Sequence, residues 1–332
     1  MSHNSRNVLI TAATLAPAAA ALLEQAGYRV ICTANYPPEA ELIEAVRQYR
    51  PVAILHRHGS ITPAVMDAAL PELRVLARHG AGLDGIDLEA ARQRGLTVTR
   101  AAGANSRSVA EHTMAMMLPL LKDLPSVIEG MREGRWEKTS RFTPDIEGKR
   151  IGIVGYGAIG SKVARYAEAF GMRVFAYDPH LPAGALPGPG TRLDSLAELL
   201  REAEVLSVHC PLSAETLGMI DAAGLALMPA GGILVVTARG GIVDEDALLA
   251  ALDSGHLAWA GLDVFAKEPL GPDHPFRHHP RVIPTPHLAA NTPNGALGMS
   301  TGAAESIVAV LDGRAPALAG AVVTAGGSPI TA

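Results

Sequence analysis

The chain has only two cysteines, Cys32 and Cys210, among 332 residues. They lie far apart, each in an apolar strand-like run (RVICT and VLSVHCPL). Two such residues make neither a disulfide framework nor a zinc site, which fits a reducing, cytoplasmic setting. The chain also has no run of five or more Lys or Arg, and its formal net charge is −5. Without a basic footprint, nucleic acid is not an expected partner. Nor does any stretch reach the ~18 apolar residues that a membrane span requires, so no membrane partner is expected. The uncharged stretch VLITAATLAPAAAALL near the N-terminus has the superficial look of a signal peptide. Pro17, however, splits it into a strand-like VLIT and a helix-like PAAAALLEQAG, with proline near the helix start and Gly27 just past its end.

What is present is apolar: 48% of residues are hydrophobic and 18% charged, so burial can offset chain entropy. The length suits two domains of ordinary size. From Val8 to about Ala104, short apolar runs (VLIT, RVICT, VAILHR, LRVLARHG, LTVTRAA) alternate with helix-period segments such as AELIEAVRQY. This is the pattern of a parallel sheet with helices on its faces. A long helical stretch begins near Ser106 in SVAEHTMAMMLPLLKDL, and a second alternating series follows from Arg150: RIGIVG, MRVFAYD, EVLSVHCP, GILVVTARG, LAWAGLDVF and RVIPT. Two series predict an α/β protein with two doubly wound parallel sheets. From about Thr292 the pattern is a helix and then an Ala/Gly-rich tail with no strand pattern.

In the second series GYGAIG places Gly155, Gly157 and Gly160 at the spacing of the dinucleotide fingerprint, directly after a strand and at the opening of a helix. Gly155 suits a tight turn, Gly157 a close approach of backbone to pyrophosphate, and Gly160 close packing of helix on strand. The helix N-terminus then faces the phosphates. Asp178 ends the next strand, where a carboxylate accepts hydrogen bonds from ribose hydroxyls and repels a 2′-phosphate. The sequence therefore predicts NAD rather than NADP.

Four motifs in order, GYGAIG with Asp178, TARGGIVDEDAL, LDVFAKEP and TPHLAANT, resemble the D-isomer-specific 2-hydroxyacid dehydrogenases. The resemblance covers nearly the whole chain and is closest to the phosphoglycerate dehydrogenase and hydroxypyruvate/glyoxylate reductase branches. It implies a flavodoxin-like substrate domain over 1–104 and 292–332 and a Rossmann NAD-binding domain over 105–291. It also implies reversible hydride transfer between NADH and a small 2-keto acid. By this likeness Arg239 is the guanidinium fork for the substrate carboxylate. His287 is the acid/base, and Glu268 is the carboxylate that holds it and favours its charged form.

The same resemblance places Ala158 and Ile159 with the three glycines at the cofactor, and adds His209, Cys210 and Pro211 by the adenosine, Thr237, and Asp263 by the carboxamide. Substrate contacts fall on Arg57 and on the loop Arg78, His79, Gly80, Ala81 and Gly82, whose small residues suit an anion nest. Both arginines have an ordinary alternative as salt-bridge partners. A surplus of cations favours a phosphorylated substrate such as 3-phosphohydroxypyruvate, whereas paired arginines favour hydroxypyruvate or glyoxylate. The long helix from Ser106 and the GRWEKTSRF segment imply a homodimer.

The stretch HPFRHHPRVIPTPH holds four of the twelve histidines. With no carboxylate or cysteine cluster at ligand spacing, no metal is expected. His287 is the catalyst, and His274, His278 and His279 read as solvated loop residues. One departure from the family pattern is Val236 in VVTARG, where many members have asparagine, which removes a local hydrogen bond. A formate dehydrogenase would carry glutamine in place of Glu268. The chain ends soon after Asp312 and is expected to lack a regulatory extension. A dehydrogenase-like protein that binds NAD without turnover is the reading from another class.

Overall fold

The computed structural model describes residues 6–317, apart from 183 and 185, together with 322–324. The chain runs through β1 (Asn7–Ile10), α1 (Pro17–Gln25), β2 (Arg29–Cys32), α2 (Glu39–Tyr49), β3 (Ala53–His56), α3 (Pro63–Ala69), β4 (Val75–Arg78), α4 (Leu88–Gln93) and β5 (Thr97–Arg100). Next come α5 (Ser106–Leu121), α6 (Leu124–Arg132), β6 (Arg150–Val154), α7 (Gly160–Ala169), β7 (Arg173–Tyr177), β8 (Thr191–Arg192), α8 (Leu196–Glu202) and β9 (Val205–Val208). It continues with α9 (Ala222–Leu227), β10 (Gly232–Val236), α10 (Glu245–Asp253), β11 (Leu257–Leu262), β12 (Val282–Pro284), α11 (Pro293–Leu311) and β13 (Val322–Thr324). Two compact units result: Met1–Asn105 with Thr292–Ala332, and Ser106–Asn291.

The first unit's sheet runs β2-β1-β3-β4-β5, all parallel, with β13 antiparallel against β5. The order 2-1-3-4-5 is the flavodoxin-like winding. Alternate strand residues serve opposite faces. Leu9, Ile54, Leu76 and Val98 cluster with Leu42, Val46, Val65 and Met66 of α2 and α3. Val8, Ile10, Ala53 and Leu55 cluster with Leu23 of α1 and Ile307 of α11. Burial on both faces explains why β3 is a continuous apolar run rather than an alternating one.

The second unit's sheet runs β12-β11-β10-β9-β6-β7-β8, entirely parallel. Counted from β6, this is the doubly wound nucleotide-binding order, reversing between β6 and β9. One face packs Ile151, Ile153 and Val235 against Met117 and Leu120 of α5 and Val163 of α7. The other packs Leu206, Leu234 and Leu262 against Leu199, Leu225 and Leu248 of α8, α9 and α10.

One expectation needs correction. The tail after α11 is not without strand: Val322–Thr324 forms β13, because two adjacent valines and a threonine suit an edge even in an Ala/Gly-rich context. Cys32 ends β2, the edge strand, and is exposed there. The two-residue β8 falls in a stretch with no apolar period at all. Among the described residues, no helix is long and apolar enough to cross a membrane.

Candidate active site

The turn from β6 to α7 is built around its glycines. Gly155 has φ +86°, and a Cβ there would lie 2.8 Å from the Cys210 nitrogen, at the end of the neighbouring strand β9. A Cβ on Gly160 would lie 2.1 Å from the Gly155 carbonyl oxygen and 3.1 Å from Ile153. Gly157 is different: a Cβ there would meet nothing within 4 Å. Two glycines therefore let the loop fold tightly and the third faces open space. The helices α8, α9 and α10 are each capped by a side chain, Ser195, Asp221 and Asp244, whereas α7 starts at Ile159 with no side-chain cap. Its leading N–H groups suit an anion from outside the chain. Ala158 is exposed and Ile159 half-buried at this start.

Asp178 sits just beyond β7, its carboxylate oxygens accepting from the backbone N–H of Tyr156 (2.8 Å) and of His180 (2.9 Å). This fixes the carboxylate beside the glycine loop, and each oxygen keeps a lone pair for a ribose hydroxyl. Across the loop, the His209 N–H donates to the Val154 carbonyl (2.7 Å) and its Nε2 bonds Ser207 (2.8 Å). Burial lowers the His209 imidazole to about 3 and raises the Cys210 thiol to about 11. Pro211 follows, exposed. These residues flank the point where the strand order reverses, the place where open α/β sheets take their ligands. The open cradle, the uncapped helix and the anchored carboxylate fit a dinucleotide.

The catalytic candidates lie on loops after β10, β11 and β12 of the same sheet. Glu268 and His287 are brought together: Nδ1 of His287 is 2.7 Å from Oε2 of Glu268. The other carboxylate oxygen of Glu268 accepts the Phe265 N–H (3.0 Å). Burial would raise the Glu268 carboxyl, but the hydrogen bonds from His287 and Phe265 and the charges of His287 and Arg239 outweigh it, leaving it below its ordinary value. His287 has φ +51° and its side chain is 46% exposed, so the ring is held at one nitrogen and accessible.

Arg239 follows the buried Thr237, whose hydroxyl bonds Thr113 of α5 (2.9 Å). Val236 is buried between the sheet and α8–α10. The loop's register is held instead by its carbonyl, which accepts the Asp263 N–H (2.9 Å). Gly240, which sequence reasoning passed over, is required sterically: a Cβ would fall 1.9 Å from the carbonyl carbon of Phe265. The loops bearing Arg239 and Glu268 thus cross backbone against backbone, and the paired glycine in ARGG is the only signal of it.

The family model described as D-isomer specific 2-hydroxyacid dehydrogenase, NAD binding domain, matches residues 114–289. The chain belongs to this family. Its second unit carries the family's NAD-binding domain, and NAD is the cofactor that the glycine loop and Asp178 fit. The chain is 40% identical to a D-3-phosphoglycerate dehydrogenase of Mycobacterium tuberculosis over 92% of its own length and 57% of that protein. The chain spans about half the length of the curated relatives it matches. Among solved structures, a protein of Thermus thermophilus is 37% identical with a TM-score of 0.85, covering 96% of this chain and 100% of that one. The NAD+-bound 3-phosphoglycerate dehydrogenase of Entamoeba histolytica is 25% identical with a TM-score of 0.78, covering 93% and 96%.

Several of the sequence-derived residues have further partners in three dimensions. Asp263 is fully buried, and its carboxylate accepts from the Thr285 hydroxyl (2.6 Å) and the N–H groups of Leu288 (2.9 Å) and Ala289 (2.9 Å). It holds the His287 loop from within. In the first unit, Arg78 donates to the carbonyls of Gly82 (2.8 Å) and Arg57 (2.7 Å), acting as a strut of its own loop. His79 is buried, with Nε2 3.1 Å from the Ser300 hydroxyl of α11, so only its backbone resembles a nest, next to Gly80 at φ +116°. Ala81 and Gly82 complete that loop. Arg57 forms no ion pair among the described residues. The remaining histidines are not all solvated: His279 is mostly buried and bonds Asp253 (3.3 Å), His274 caps the short turn at Phe276, and only His278 is exposed. They serve as local struts because a proline-rich loop offers few backbone donors.

Proposed function

We propose that this chain is an NAD-dependent D-2-hydroxyacid dehydrogenase acting reversibly on a small 2-keto acid. The observation that carries the reading is the 2.7 Å His287–Glu268 pair on the sheet that also bears the glycine cradle. Bound NADH supplies the hydride. Glu268 occupies Nδ1 of His287, leaving Nε2 to give its proton to the new alkoxide. Arg239 binds the substrate carboxylate through its planar fork and polarises the neighbouring carbonyl. The proposal extends to Arg57 and the 78–82 loop as contacts for the substrate's acidic groups.

For the substrate we favour 3-phosphoglycerate and 3-phosphohydroxypyruvate. The similarity to D-3-phosphoglycerate dehydrogenases supports this, as does Arg57, a cation without an ion-pair partner among the described residues. Hydroxypyruvate or glyoxylate is the second reading, favoured by the internal commitment of Arg78. A cytoplasmic homodimer belongs to the same proposal. Ile128 and Met131 of α6, with Trp136 and Phe142 after it, are exposed, and a second copy would cover them.

Steady-state turnover of 3-phosphohydroxypyruvate, hydroxypyruvate and glyoxylate with NADH tests the proposal, in wild type and Arg57→Ala. The phosphorylated substrate should lose ~1.5–3 kcal/mol of kcat/KM selectively, the scale of a charge-assisted contact. Equal losses on all three would move the assignment to a small 2-keto acid. No turnover of any would leave an NAD-binding protein without catalysis.

A further inference from the structure

Two consecutive residues of α5 reach two different catalytic loops. His112 has Nε2 3.3 Å from the Thr285 hydroxyl and 3.6 Å from Oδ1 of Asp263. Thr113 is fully buried, and its hydroxyl lies 2.9 Å from that of Thr237. Thr285 is two residues before His287, and Thr237 two residues before Arg239. The donor directions follow from the neighbours. Thr285 gives its only hydroxyl proton to the Asp263 carboxylate (2.6 Å), so His112 must present Nε2–H to it. Thr113 gives its proton back to the Val109 carbonyl (2.8 Å), so Thr237 donates to Thr113.

The helix is suited to be the fixed side of both contacts. Met116, Met117 and Leu120 lie in the core with Val235 and Trp259. Gly261 of β11 admits the helix closely, a Cβ there falling 3.4 Å from Met116 and from Leu120. The loops are less constrained by themselves. His287 occupies a left-handed backbone conformation that a non-glycine residue adopts only when its surroundings impose it. Its N–H donates to the Asp263 carbonyl (2.8 Å), while the Asp263 carboxylate holds Leu288 and Ala289. Asp263 is thus the hub of the loop, and His112 meets that hub through Thr285.

We propose that His112 and Thr113 are positioning residues: one turn of α5 braces the His287 loop through Thr285 and Asp263 and the Arg239 loop through Thr237. The acid and the carboxylate fork are thereby referenced to one rigid body. This rests on the dehydrogenase reading for its catalytic consequence, though not for its structural one. A displacement of about 1 Å is enough to cost on the order of 10²-fold in rate, so modest loosening is visible in turnover.

Amide hydrogen exchange on the full chain tests the brace independently of activity. In His112→Phe, Leu288 and Ala289 should exchange at least ~10-fold faster while 237–241 keeps its protection. In Thr113→Val the pattern should reverse. His112→Gln, which keeps an N–H donor near the Nε2 position, should restore protection, as should Thr113→Ser. With 3-phosphohydroxypyruvate and NADH, His112→Phe should lower kcat ~10–100-fold with NADH affinity unchanged, and the glutamine variant should recover most of it. Unaltered exchange at Leu288 and Ala289, or an equal rise across the whole second unit, would overturn the proposal. A wild-type chain without turnover would sink the dehydrogenase reading alone, and exchange would still decide the brace.

Discussion

The first βα turns of the two sheets stand at equivalent places and are built in opposite ways. After β1 the chain reads TAATLAP, with no glycine. The Thr11 hydroxyl accepts the N–H groups of Arg57 (2.8 Å) and His58 (3.1 Å) from the loop after β3. The Ala13 N–H goes to the Asn35 side chain (3.1 Å), and Pro17 removes a donor at the start of α1. The point where the strand order reverses is thus stitched shut by the unit's own atoms. After β6 three glycines keep the backbone bare, α7 has no side-chain cap, and the space beside Gly157 is open. A doubly wound sheet offers a place for a ligand, but donors left unused make it a site.

The histidines repeat the contrast and give its sharpest break. Two histidines of the first unit, His56 and His79, are buried in its interior, whereas His287 is half-exposed and paired with a carboxylate. Replacing His287 by alanine should lower kcat by ~10²-fold or more through loss of general acid catalysis, with NADH affinity little changed. Stopped-flow turnover beside a fluorescence titration of NADH separates the two. Because Glu268 is held below the ordinary carboxylate value, the pair is present above its lowered value and is lost only as pH falls through it. Activity should therefore persist through mildly acidic pH in wild type. Glu268→Gln should alter the kcat/KM profile with pH, and an unchanged profile would disprove the pairing.

A smaller effect is expected at Asp178, the residue that most distinguishes the open turn from the closed one. A carboxylate already bound to the Tyr156 and His180 N–H groups cannot swing away from a 2′-phosphate without breaking both. NADH should exceed NADPH in kcat/KM by about tenfold or more, ~1.4 kcal/mol. Asp178→Ala should narrow the gap chiefly by weakening NADH. Equal efficiency of the two cofactors in wild type would mean that Asp178 does not face the ribose.

The open turn was legible in the sequence because its signals are local: glycine spacing, a preceding strand and a carboxylate one strand later. The two windings were legible for the same reason, since strand and helix periods are short-range. What escaped was carried by contacts between distant residues. The enclosure of Asp263 escaped because nothing nearby in sequence shows that Thr285, Leu288 and Ala289 bond it. The burial of the His79 ring escaped because Ser300, its partner, is 221 positions away. His112 and Thr113 looked like ordinary members of an amphipathic helix. Gly240 escaped because its reason is another loop's backbone.

The buried histidines of the first unit carry the last effect, one on stability rather than on turnover. Burial, then the charge of Arg78, hold His56 near 3; burial, then the charges of Arg57 and Arg78, hold His79 near 4. An unfolded chain would titrate both near 6.5. Above that value neither state binds a proton and the histidines contribute nothing to pH dependence. Below it the unfolded chain gains protons that the folded chain refuses, so stability falls with slope ~1.4 kcal/mol per pH unit for each histidine. The loss from His79 ends near pH 4, that from His56 near pH 3. His58 of the first unit is also lowered, by burial and by the charges of Arg57 and Arg78, and His209 adds one such group to the second unit, so the first unit should be the more acid-sensitive. Between pH 7 and pH 5, His79 alone should cost roughly 2 kcal/mol. Urea unfolding of wild type and His79→Gln at the two pH values measures this, the glutamine still able to bond Ser300 but not to titrate. The variant should keep roughly that amount of stability at pH 5 relative to its own pH 7 value. An identical pH dependence in both proteins would show that His79 is protonated in the folded state and that the first unit's interior is less closed than its buried bonds imply.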